Sequence, residues 1–138
     1  MNASAYTLRQ YAVLDALADD AEVFFYLFSA ANAAIHACYP AHSSPETFAV
    51  SGAAVADDVS LLIRAGLVSC VRIQETTVVP IGPEQLTASE FSVYSGYSCN
   101  SFVQHYDLFG LGPHQFSLTF EGRRHLEQWV PPEGYAAP

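Results

Sequence analysis

Leu61-Leu62-Ile63-Arg64-Ala65-Gly66-Leu67-Val68-Ser69-Cys70-Val71-Arg72-Ile73 changes its hydrophobic period part-way along, and that change decides how the chain is read. Before the glycine, apolar side chains recur at helical steps. Val55, Val59, Leu62 and Ile63 form one face of a helix over residues 53–65, while Asp57, Asp58 and Arg64 point elsewhere, the two carboxylates reading as a solvated face. From Leu67 to Ile73 apolar residues alternate with polar or small ones, the period of a strand. Gly66 stands where a left-handed residue ends a helix, and Ser51 stands where a side-chain cap begins one. Thr76-Thr77-Val78-Val79-Pro80 extends the strand or supplies its partner.

Towards the C-terminus the order reverses. Residues 115–119 alternate as a strand, and a helix follows over 120–129 with Phe120, Leu126 and Trp129 as its inner side chains. Thr119 caps that helix, and Glu121 complements its dipole. Pro131-Pro132 ends it, and residues 133–138 read as a frayed tail. Towards the N-terminus, Leu14, Leu17, Ala21, Phe24, Phe28, Ala31 and Ile35 lie on one helical stripe within residues 6–39. Asp19 with Glu22 fits a capping box that starts a second helix, whereas the unbroken stripe favours one long helix; the reading adopted is a break at Asp19. Val23, Phe25 and Leu27 lie off the stripe, and a helix apolar nearly all round is buried in a core or a subunit interface. Pro40-Ala41-His42-Ser43-Ser44-Pro45 is a connector, residues 46–51 a short strand, and residues 89–95 a short helix capped by Thr87 with Glu90.

The run Leu61-Leu62-Ile63-Arg64-Ala65-Gly66-Leu67-Val68, followed by Phe116-Ser117-Leu118-Thr119-Phe120-Glu121-Gly122-Arg123-Arg124-His125-Leu126, resembles the second half of a winged-helix (winged helix-turn-helix) domain. In that family a helix commonly ends in "aGLv", a β-hairpin forms the wing, and "LTxeGxxxL" opens the closing helix. The resemblance covers residues 53–73 and 116–129. It implies that Leu67 and Val68 lead the first wing strand into the core, and that Gly122 lets the last helix approach its neighbours. The expected architecture is a single α+β winged-helix-like domain over residues 1–138. Its parts are a helical segment (6–39), strand-helix-strand (46–80), an aromatic insertion in the wing (81–113), strand and closing helix (116–130), and a tail (131–138).

Charge bears on function. The 138 residues carry five arginines, no lysine and a net charge of −9. Binding polyanions by bulk electrostatics needs many cations. The helix a winged-helix protein would offer to a DNA groove has Asp57, Asp58 and only Arg64, where such helices present Arg, Lys, Asn or Gln. Arg64, Arg72, Arg123 and Arg124 are the candidate nucleic-acid contacts, with surface ion pairing as their competing role. Apolar residues at 51% and charged ones at 14% exclude a disordered chain. No apolar run is long enough to span a membrane, no basic leader opens the chain, and three widely spaced cysteines suit a reducing cytoplasm.

The insertion interleaves Phe91, Tyr94, Tyr97, Phe102, Tyr106 and Phe109 with serine, glycine and asparagine. That composition suits a contact surface, or else the rings fill the domain's own core. His36, Cys38 and His42 lie close enough to suggest a metal, but residues two apart on a helix diverge and no further pair completes four ligands. Cys99 with His105 could be thiol and base, though no oxyanion donor is evident; Cys70 reads as a small core residue. No phosphate loop, dinucleotide fingerprint or nucleophile elbow is present. The expectation is a non-catalytic protein-interaction module without cofactor, self-associating as a homodimer through the apolar N-terminal helices. The alternatives are a sequence-specific DNA-binding regulator, then a small cysteine/histidine enzyme.

Overall fold

The computed structural model describes residues 6–38, 50–97 and 112–135, with the side chains of 36–38 left out. Helix α1 (Leu8–Ala16) opens with a capping box: Thr7 Oγ1 accepts from Gln10 N at 3.2 Å, and Gln10 Oε1 accepts from Thr7 N at 3.0 Å. The acidic run does break the helical stripe, but no helix starts at Asp19. Asp20 Oδ1 accepts from Ala21 N, and the chain extends into a short strand β1 (Glu22–Val23) before α2 (Phe24–Cys38) begins. Glu22 pairs across the sheet with Phe116 instead of closing a cap.

Helix α2 packs on α1 and buries Phe24, Leu27, Phe28, Ala30, Ala31 and Ala34 within one copy of the chain. Off-stripe Phe25 is used internally as well: like Phe28 on the stripe, it meets Tyr97 edge-on, with centroids at 6.4 and 5.5 Å. Of the two places expected for a helix apolar nearly all round, these residues occupy the core. Asn32 then fixes the next segment, since its side chain accepts from Val50 N at 2.8 Å and donates to Val50 O at 3.2 Å. Of the strand expected over 46–51, only Val50 and Ser51 are described, and neither is in a strand.

Helix α3 (Gly52–Arg64) starts at Ser51, whose Oγ accepts from Ala54 N, and ends before Gly66 at φ +80°. Strand β2 (Val68–Gln74) turns into β3 (Thr77–Pro80); later come a single 3-10 turn (Ser92–Tyr94), β4 (His114–Leu118) and α4 (Phe120–Gln128). The short helix expected over 89–95 is only that turn. The antiparallel sheet runs β1-β4-β2-β3. Thus β2 and β4 are hydrogen-bonded neighbours, Val68 opposite Leu118 and Arg72 opposite His114, although residues 81–113 separate them in sequence. Thr119 caps α4 by accepting from Gly122 N. A Cβ on Gly122 would overlap the carbonyl oxygen of Leu67, so only glycine permits this approach.

Three further expectations need correction. Phe120 is 78% exposed, because the inner side of the first turn of α4 is taken by Gly122. Asp58 is 3% exposed and not on a solvated face: both its oxygens accept from Arg9, and Gln10 Nε2 donates to Oδ1 at 3.1 Å. That tie joins α1 to α3. The tail is pinned as far as Tyr135, whose hydroxyl donates to Asp15 and whose ring meets Trp129 edge-on; Trp129 in turn stacks on Tyr11 at 4.8 Å.

Candidate functional site

The densest polar chemistry lies between the sheet and the insertion. Glu90 Oε2 accepts from Arg72 Nη1 at 2.6 Å and from His114 Nε2 at 2.7 Å. His114 Nδ1 faces the Tyr94 hydroxyl at 2.7 Å. An ionised carboxylate only accepts, so Nε2 carries the ring proton; Nδ1 of the neutral imidazole then accepts from Tyr94. Every ring nitrogen is satisfied with histidine uncharged. Burial pushes His114 below its usual value, against a raising pull from Glu90. Burial alone would raise Glu90, but hydrogen bonds from His114 and Arg72 outweigh it and hold the carboxyl lower. Arg72 Nε is buried without an acceptor among the described residues.

A Tyr–His–Glu chain has the order of a proton relay, yet among the described residues its tyrosine and histidine are closed off. Tyr94 is wholly buried, stacked on Phe24 at 4.0 Å, and Phe91 closes the edge of His114 at 4.8 Å. Cys70 nearby is also buried, and burial pushes its thiol up to about 12, so it is an inert thiol at neutral pH. What the relay does is hold residues 90–97 against the sheet.

The insertion also covers one end of α3. Gly52 N donates to Tyr97 O at 2.9 Å, and a Cβ on Gly52 would overlap the carbonyl oxygen of Tyr94. Along the same flank, Asp57 and Ser60 face Ser92 and Ser95 across a half-open cavity of about 190 Å³. That is smaller than the roughly 300–1,000 Å³ typical of small-molecule sites.

The rings of the proposed contact surface divide. Phe91, Tyr94 and Tyr97 are interior and form the core they were alternatively expected to fill, whereas Phe102, Tyr106 and Phe109 lie outside the described residues. His42, Cys99 and His105 lie outside as well, and His36 and Cys38 have no described side chains. Among the described residues no group of three His, Cys, Asp or Glu side chains could hold a metal, and no helix is long and apolar enough to cross a membrane.

The arginines are scattered over the molecule. Arg9 is held by Asp58 and Arg72 by Glu90. Arg123 Nη2 donates to Ala18 O at 3.0 Å, and Arg124 pairs with Glu121 at 3.1 Å on the surface of α4. Arg64, exposed at the end of α3, has no ion-pair partner among the described residues. Sequence reasoning missed Glu90 and His114 because their link spans the insertion. Comparison with family models, curated proteins and solved structures finds no match to this chain.

Proposed function

We propose that this chain is a non-catalytic protein-interaction module of winged-helix type that associates with itself. The winged-helix reading is supported by the pairing of β2 with β4, by the left-handed Gly66, and by Thr119 and Gly122 at the start of α4. The observation that carries the functional reading is the disposition of the arginines: four of the five already serve a partner inside the molecule. A chain of net charge −9 with its cations so engaged has little field for a polyanion. Recognition helices read bases with their N-terminal residues, and that end of α3 lies under the insertion. The buried Tyr94–His114 pair and the buried Cys70 thiol are not offered to a substrate, which supports the non-catalytic reading.

The rival DNA-binding reading keeps Arg64, with Arg72, Arg123 and Arg124 as contacts only if each leaves its present partner. Two measurements separate the readings. Light scattering gives the mass in solution, and fluorescence anisotropy with duplex DNA at about 50 mM salt gives DNA affinity. The expected result is reversible self-association with no DNA binding. A strict monomer, or DNA binding that weakens steeply with salt, overturns the proposal.

A further inference from the structure

The sheet has two unlike faces. Val68, Cys70, Phe116 and His114 point at the helices and are buried. The alternate residues point away, and no helix of the described residues covers them. Ile73 and Val78 stand opposite each other there, 43% and 59% exposed. Beside them run Val71 with Pro80, and the small pair Ser69 with Ser117.

We propose that this open sheet face is where two copies of the chain meet, packed face to face about a two-fold axis. The inference rests on the self-association reading above and names its surface. Charge selects the occupant. The outward rows of β2, β3 and β4 hold no ionisable side chain, while the whole chain carries −9. A basic partner would be drawn to the carboxylates elsewhere. A neutral face matters most to a partner of the same sign, and a second copy is such a partner.

The register also selects the geometry. Ile81 N donates to Cys70 O, which makes Cys70 and Ile81 a hydrogen-bonded pair; alternation then turns the backbone of Val78 and Pro80 towards the free edge of β3. Pro80 has no N–H, so this edge is one donor short for continuing a ladder into another chain. The association proposed is face to face, the Ile73–Val78 ridge of one copy settling beside the serine row of the other. Strands about 4.8 Å apart make this face roughly 15 Å wide. Each copy then buries a few hundred Å², below the roughly 800 Å² per partner of a standard interface. The dimer is accordingly weak and concentration-dependent.

The test is sedimentation equilibrium over a wide concentration range, at low salt and at about 1 M salt, where the Debye length is about 3 Å. The proteins are the native chain, Val78→Glu and Ile73→Glu, with helix content checked by circular dichroism. The native chain should dimerise reversibly, several-fold more tightly at high salt because screening removes the repulsion between acidic copies. Both variants, altered at exposed positions, should stay folded and monomeric. A native chain that is monomeric throughout overturns this inference together with the self-association reading. A dimer that both variants preserve, or one that salt weakens, overturns this face alone and leaves self-association standing.

Discussion

The insertion and the closing helix are held to the molecule by opposite means. Residues 81–97 contain one 3-10 turn, yet they supply the two largest fully buried side chains among the described residues, Tyr94 and Tyr97, at 0% and 2% exposure. Helix α4 is regular from Phe120 to Gln128, yet its only fully buried residue is Gly122. One is irregular and central; the other is regular and peripheral. Regularity follows backbone hydrogen bonding and caps, whereas centrality follows the apolar area a segment can remove from water. A segment can therefore become part of a core while acquiring little regular secondary structure.

Tyr94→Ala tests that centrality most severely. It removes a ring stacked on Phe24 and orphans the acceptor Nδ1 of His114. The cavity alone should cost about 3–5 kcal/mol, read as a fall in the urea midpoint. A loss under about 1 kcal/mol would show that the insertion is ornament. Gly122→Ala attacks the peripheral helix at its closest approach. Its Cβ would overlap the Leu67 carbonyl, so α4 must move away, at a cost of about 1–3 kcal/mol. Because Trp129 stacks on Tyr11 from the end of this helix, tryptophan fluorescence should change too. Unchanged emission would place the strain elsewhere.

The same contrast explains what could be read from sequence. Gly66 and Thr119 act on the helix end beside them and were legible from their neighbours, whereas Gly122 meets Leu67 far along the chain and its close approach was only implied by the resemblance. The insertion was not legible, because its rings have no period and their partners lie far along the chain. Phe24 and Tyr94 are the clearest pair. Asp58 was read as solvated because the arginine that buries it lies 49 residues away. The Thr7–Gln10 capping box was local and was overlooked in favour of the acidic run after α1. Of the candidate site, the role of the arginines as ion-pair partners was foreseeable from nearby carboxylates for Arg124 alone, with Glu121 three residues before it.

Acid should loosen the insertion before it affects α4. Glu90 and His114 both have folded-state values below their ordinary ones. The unfolded chain therefore takes up protons first, and stability falls as pH falls. The loss begins below about pH 6.5, where an unfolded histidine charges, and continues below about 4.3 as unfolded glutamates do. Glu90→Gln removes the carboxylate's part of this dependence. It also weakens two charge-assisted hydrogen bonds, costing roughly 2 kcal/mol at neutral pH. Denaturation midpoints from pH 7 to about pH 3, with hydrogen exchange at Gly52 and Tyr97, measure both effects. A native profile as flat as that of the variant would remove the relay from any part in stability.

The smallest effect is expected at Phe120. Its side chain is 78% exposed at the first position of α4, where the cap at Thr119 already sets the helix start. Exposed single apolar residues are common, so burial of this ring is no part of the monomer's stability. Phe120→Ser should change it by no more than about 0.5 kcal/mol, measured at low protein concentration. Concentration makes the measurement informative, because whatever binds only the folded state adds stability by mass action. If the ring stays in water at all concentrations, the small difference between native and variant chains is constant. A difference that grows as the protein is concentrated would show the ring covered in an assembly. The outer side of α4 would then join the sheet as a contact surface, and the closing helix would be peripheral only in the single chain.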